Sequence, residues 1–127
     1  MLAALADRCE ATLPADQGPV FNEALNLLFD METAPAPAGD VPADMQWIAL
    51  LADSGAFESA IIATMPADAV FTGGRLADGS FVAQVLLANG VGSHSRAARS
   101  LAMAWLAALL RATARAMIEA GQVTDRV

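Results

Sequence analysis

The sequence SRAARSLAMAWLAALLRATARAMIEA, residues 95–120, contains neither glycine nor proline and is dominated by alanine and leucine. Residues of these types favour an α-helix. Ser93 or Ser95 is suited to cap its start, and Gly121 is placed to end it in a left-handed conformation. The stretch therefore predicts one long C-terminal helix, which is the element around which the fold is organised.

Apolar side chains cover more than half of the circumference of this helix, which is wider than a surface helix needs. Leu101 and Trp105 lie on one face, and alanine and arginine occupy the remaining sector. Small alanines permit the close approach of a second helix. The sector therefore supplies candidate residues for a homodimer interface: Ala104, Ala108, Arg111 and Arg115. The alternative is an alanine-rich surface that faces water.

Two segments ahead of the helix are rich in β-branched and aromatic residues, which predicts strands over 69–72 and 80–87. Gly73-Gly74 and Ala77-Asp78-Gly79 have the composition of turns, so an antiparallel hairpin is expected. Both faces of the second strand are largely apolar. We therefore expect helices to cover the sheet on both sides.

The first half of the chain is predicted to be helical. Apolar spacing predicts helices over 2–12, about 20–31, 45–52 and 56–65, the last ended by Pro66. The segment 33–44 alternates proline and alanine, which favours an extended surface connection. The predicted class is α+β, a layered sandwich with N-terminal helices, a short antiparallel hairpin or small sheet, and the long helix packed on it. We expect a single domain, 1–127, made of a helical arm (1–32), the connection (33–44) and an α+β core (45–127).

Charge is distributed unevenly along the 127 residues, whose formal net charge is −7. Residues 1–70 contain eleven acidic residues and only Arg8 as a base, whereas residues 71–127 contain six arginines and three acidic residues. A binder of the phosphate backbone needs a basic surface, so nucleic-acid binding is not expected. The asymmetry instead suits contact between the two halves or between subunits.

Cys9 is the only cysteine, so no intramolecular disulfide can form, and a cytoplasmic location fits this usage. Its position in the first predicted helix favours a small buried core residue. The N-terminus lacks the basic region of a signal peptide. The longest uncharged run in the final helix, residues 100–110, is far shorter than the roughly 20 residues of a membrane span, so no membrane association is expected.

One loop carries candidate binding residues. Gly92, Ser93, His94, Ser95, Arg96 and Arg99 precede the long helix, and its free N–H groups could hold an anion there. Their spacing matches neither a phosphate-binding loop nor a dinucleotide fingerprint, and capping by the serines is the simpler interpretation.

Catalytic and metal-binding patterns are not recognisable. His94 is the only histidine and has no partner at metal-ligand spacing, so no metal or other cofactor is expected. Asp53 and Glu58 could serve as an acid and a base, yet nothing in the sequence brings them together. The sequence leaves enzymatic activity open and leans against it.

Two segments resemble small uncharacterised phage- and prophage-associated proteins: Ala56-Phe57-Glu58-Ser59-Ala60 with Met65-Pro66, and residues 100–104 with 107–112. The resemblance covers about residues 56–112. It implies a helix–sheet–helix sandwich and a mobile-element origin, and it supplies no catalytic residues.

Two functional hypotheses follow. The first is a non-enzymatic interaction or accessory protein that forms a homodimer through the C-terminal helix. The second is a domain that binds a small molecule or an anion in the loop from Gly90 to Arg99.

Overall fold

The C-terminal helix and a three-stranded sheet form the centre of the fold. The computed structural model describes residues 2–32 and 43–125. In chain order its elements are α1 (Leu2–Ala11), a 3-10 turn (Pro14–Asp16), α2 (Gln17–Glu32), α3 (Ala43–Asp53), α4 (Phe57–Thr64), β1 (Val70–Arg75), β2 (Phe81–Leu86), β3 (Gly92–His94) and α5 (Leu101–Asp125). The α+β class and the long helix packed on the sheet are confirmed.

Helix α5 is buried on more than one side because the sheet packs on it from one direction and α1 from another. The alanines of the sector predicted to face solvent or a second copy are part of this core. Ala104, Ala107 and Ala108 are fully buried by other parts of the same chain. The prediction of an exposed interface at Ala104 and Ala108 is therefore wrong.

The long helix begins six residues later than predicted, at Leu101 rather than Ser95. The intervening residues pair with β2 instead. Ser95 donates its N–H to the Ala83 carbonyl, and Ala98 exchanges two backbone hydrogen bonds with Phe81. The helix also continues through Gly121 to Asp125, so the predicted stop at that glycine is wrong.

Ser100 caps α5, in place of the predicted Ser93 or Ser95. Its Oγ accepts a hydrogen bond from the N–H of Met103 at 3.2 Å. The same hydroxyl donates to Oε1 of Gln17 at 2.8 Å, which ties the start of α5 to the start of α2. The cap thus satisfies an otherwise free helical donor and fixes a contact between two helices.

The sheet has the order β1-β2-β3 and is antiparallel throughout. The predicted hairpin is confirmed, but Gly73 and Gly74 lie inside β1, opposite Ala83 and Val82, rather than in the turn. The turn is Leu76–Ser80. It closes with Gly79 at φ 89°, a conformation that glycine adopts without strain, and with Asp78 accepting from the N–H and hydroxyl of Ser80.

Within residues 2–32 and 43–125, only one face of the sheet is covered. Ala83 and Val85 of β2 are buried on the inner face, against α5. On the outer face Val70 is 62% exposed and its cross-strand partner Leu86 is 42% exposed. No described helix packs on the outer face, contrary to the expectation of helices on both sides, although the sequence pattern of β2 is apolar on both.

The remaining helices follow the predicted segments closely. Cys9 is buried, as predicted, and Ile48 of α3 lies in the core while the neighbouring Trp47 is 57% exposed. Residues 33–42 of the predicted connection lie outside the described residues. Length and composition alone would allow Leu101–Ala120 to span a membrane, but half of that window is buried inside the fold, as in a core helix.

Candidate functional site

The two edges of the sheet differ, and this difference defines the candidate site. In an antiparallel ladder, alternate residues direct their N–H and C=O groups away from the neighbouring strand. At the β3 edge the outward residues are Gly92 and His94, because Ser93 and Ser95 face β2. At the β1 edge they are Phe71, Gly73 and Arg75, because Leu76 pairs with Ser80.

Arginines of α5 occupy the outward carbonyls of β3. Arg115 donates from Nη1 to the Gly92 carbonyl at 2.6 Å, and Arg111 donates to the His94 carbonyl at 3.4 Å. Both arginines belong to the sector predicted as an interface. They cover the outward carbonyls of this sheet edge from within the chain.

Arg111 also holds α1 against α5 and β3. Its guanidinium contacts both carboxylate oxygens of Glu10, one of them at 2.7 Å, and Asp7 at 2.7 Å. Glu10 in addition accepts the backbone N–H of Arg96. The hydrogen bonds to Glu10 raise the pKa of Arg111 above its ordinary value, so this arginine is a permanent cation.

The β1 edge has no comparable cover from the described residues. Five of its six residues are exposed, and Phe71 is half-buried. The contact from α5 comes from below the sheet, where Trp105 packs edge-on against Phe71 at 5.6 Å and donates Nε1–H to the Thr72 carbonyl at 3.2 Å. Among the described residues, the outward backbone groups of β1 therefore have no neighbouring strand to pair with.

The outer face of the sheet carries a row of polar side chains beside an open cavity. Thr72, Gln84 and His94 are aligned across the three strands. They border a cavity of about 360 Å³ that is also lined by Gly74 and Val82. A Cβ on Gly74 would meet nothing within 4 Å. Because glycine has no side chain, the base of the cavity is open at this residue.

The six residues of the predicted anion site are not brought together at a helix N-terminus. Gly92, Ser93 and His94 form β3, and Ser95 is buried with its Oγ accepting the N–H of Ala83 at 2.9 Å. Arg96 is exposed.

Arg99 lines a different cavity, of about 470 Å³, which Glu10 and Asp78 also border. Carboxylates therefore border the space beside this arginine. The structure therefore does not support an anion site at the N-terminus of α5.

Asp53 and Glu58, the candidate acid and base, do not line the same described cavity. Glu58 lines a cavity of about 270 Å³ with Gln17 and Ser100, and Asp53 is not among its lining residues. Within residues 2–32 and 43–125, no group of three or more histidine, cysteine, aspartate or glutamate side chains is arranged to hold a metal ion.

Sequence reasoning missed the edge of β1 and the role of Glu10. The strand itself was predicted, but its exposure depends on which strand lies beside it, and this is decided by the pairing of β2 with β3. One signal for Glu10 was present in the sequence: the excess of acidic residues in the first half and of arginines in the second. The ion pairs of Arg111 with Asp7 and Glu10 join the two halves of the chain.

Comparison of the chain with protein-family models, curated proteins and solved structures found no match. The mobile-element origin implied by the resemblance stays a prediction.

Proposed function

We propose that this chain is a non-enzymatic interaction protein that binds a protein partner along β1. The β1 docking surface is defined as the free edge of β1 together with the exposed side chains of Val70, Leu76 and Leu86. An extended segment of a partner would add a strand to the sheet, with backbone hydrogen bonds providing affinity and the apolar side chains providing selectivity. The observation that supports this most directly is the accessible edge beside Val70, which is 62% exposed.

The contrast between the two edges supports the proposal. An unprotected edge strand invites association, and proteins usually blunt it with lysine, proline, an inserted residue or a covering element. At β3 the arginines of α5 provide such a cover. Strand β1 is six residues long and contains neither lysine nor proline, and its only charged residue, Arg75, stands at the end.

Photo-crosslinking in the native host tests this proposal. A photoreactive amino acid placed at Thr72 or at Leu86 should give a covalent adduct of defined mass. The matched control is Ile62 on α4, which is 45% exposed and lies on an element away from the sheet. Equal labelling from Ile62, or no adduct from either sheet position, would contradict binding along β1.

A second function is supported by the cavity on the outer face. Its open base at Gly74 and the row of polar side chains of Thr72, Gln84 and His94 suit a small ligand that carries a carboxylate or phosphate group. Ligand binding to the folded state raises the melting temperature by mass action. Titration with inorganic phosphate, nucleotides and small carboxylates tests it, with His94→Ala as the control, and an unchanged melting temperature across the panel would contradict it.

A further inference from the structure

We infer that the partner at the β1 docking surface is a second copy of this chain, paired antiparallel along β1 about a two-fold axis at Gly73. This inference rests on the proposed function and names its partner. The two sheets would join into one continuous sheet of six strands. Because the same strand is used by both copies, the interface is closed and stops at a dimer.

The hydrogen-bonding pattern of β1 permits this pairing. The outward residues are Phe71, Gly73 and Arg75. With the axis at Gly73, each of them stands opposite another outward residue: Gly73 opposite the partner's Gly73, and Phe71 opposite the partner's Arg75. All three pairs are thus of the type that exchanges both backbone hydrogen bonds.

The exposed apolar side chains become paired in the same register. Val70 is 62% exposed and Leu76 is 41% exposed, and they flank the two ends of the strand on the outer face. The two-fold axis places Val70 opposite the partner's Leu76, and Leu76 opposite the partner's Val70. Each copy therefore covers the apolar residues of the other.

The position of Arg75 favours this register over one centred on that residue. Arg75 stands opposite the partner's Phe71, where a guanidinium can lie against an aromatic ring. An axis at Arg75 would instead place two arginines opposite each other, which is unfavourable.

The glycines of β1 fit a close approach at the axis. On the inner face the space at Gly73 is taken by Leu101 and Trp105 of the same chain, so neither copy can carry a side chain there. On the outer face Gly74 stands opposite the partner's Thr72, and space is open above it. Glycine inside a strand commonly marks such an approach of another backbone.

The interface is a single pair of strands and is smaller than that of a permanent dimer, so we expect a reversible association. Sedimentation equilibrium of the full chain from about 1 μM to about 1 mM covers the affinity range of such interfaces. The wild type should pass from monomer to dimer in this range. Monomer throughout would overturn self-pairing.

Charge substitutions test the register. Val70→Lys alone and Leu76→Glu alone should each weaken the dimer about tenfold, because a charge then faces an apolar residue at both ends. The double variant places lysine opposite glutamate at both ends and should restore the dimer. Ile62→Lys, the matched control on α4, should have no effect. A double variant as weak as the single variants, or a dimer insensitive to all of them, would overturn the inference.

Amide hydrogen exchange of the wild type provides a second measurement that needs no variant. The amides of Phe71, Gly73 and Arg75 should become protected as the concentration rises, and unchanged exchange in a dimer would overturn pairing along β1.

The crosslinking experiment distinguishes self-pairing from the binding of another protein along β1. An adduct from Thr72 at twice the mass of the chain supports the second copy as partner. A monomeric wild type together with an adduct of another mass overturns self-pairing and leaves the proposed docking along β1 standing. The absence of any adduct contradicts both.

Discussion

Arg111 and Glu10 are 101 residues apart in the sequence and form a two-pronged ion pair that joins α5 to α1. Only 16% of the arginine side chain and 9% of the glutamate side chain are exposed. Because Glu10 also accepts the N–H of Arg96, the pair holds the segment after β3 as well. One cluster thus fixes the first helix, the last helix and the protected sheet edge.

Removing the cation should destabilise the protein strongly. Arg111→Met keeps an apolar stem of similar length but leaves the Glu10 carboxylate largely buried without its counter-ion, which typically costs about 3–5 kcal/mol in the free energy of unfolding. Denaturant unfolding measures this change. The control is Arg8→Met, since the Arg8–Glu23 pair is exposed on both sides and should contribute less than about 1 kcal/mol. Similar losses for the two variants would show that Arg111 is not a structural centre.

The adjacent glycines of β1 should respond differently to alanine. A Cβ on Gly73 would lie 2.7 Å from Cδ1 of Leu101 and 2.9 Å from Nε1 of Trp105, so both side chains must shift. Gly73→Ala should lower the free energy of unfolding by about 1–3 kcal/mol, as overpacking does. Gly74→Ala meets open space and should be neutral or stabilise by up to about 1 kcal/mol. Thermal unfolding of both variants measures the difference. Equal changes in stability would contradict the close packing at Gly73 and the open space at Gly74.

The hydroxyl of Ser95 should matter more than that of Ser93. Ser95 Oγ accepts the N–H of Ala83 inside the protein, where β2 has no carbonyl partner for that donor. Ser95→Ala leaves a buried N–H unsatisfied, which should cost about 1–3 kcal/mol in the free energy of unfolding. Within the part of the chain that the structure describes, the side chain of Ser93 makes no hydrogen bond, so Ser93→Ala is the control. Faster exchange of the Ala83 amide in Ser95→Ala would identify the lost bond directly.

The sequence correctly predicted the helices and strands that are determined by residues close together in the chain. Pro66 ends α4, and the alternation of β-branched and aromatic residues identifies β2. The start of α5 could not be predicted in this way. Residues 95–100 have good helix propensity, but the backbone of Ser95 and Ala98 pairs with β2, and these long-range hydrogen bonds override the local preference.

The candidate site was harder to predict than the fold because it depends on neighbours. Glycine is typical of turns, so the sequence placed Gly73 in one. Only the close approach of Leu101 and Trp105 explains why a glycine occupies this position in a strand. Likewise Arg111 and Arg115 read as surface residues of a helix, because their partners Glu10 and Gly92 are distant in sequence. Sequence pattern identifies strands, whereas the exposure of an edge follows from the order in which the strands pair.

Stability at alkaline pH should depend on Cys9. Burial raises the pKa of its thiol from 9.0 to about 12, so the folded state favours the protonated form more than the unfolded state does. This contribution is fully present below about pH 9 and is lost as the pH rises towards 12, at up to about 1.4 kcal/mol per pH unit. The chain contains no tyrosine and no lysine, so no other type of side chain titrates between these values.

Denaturant unfolding of the wild type and of Cys9→Ala at several pH values from about 8 to about 11 tests this prediction. The wild type should lose stability with rising pH, and the alanine variant should show a flatter profile over the same range. The comparison is between slopes, because the smaller side chain lowers stability equally at every pH. Parallel profiles would mean that the thiol has the same pKa in the folded and the unfolded protein, contrary to its burial against the core.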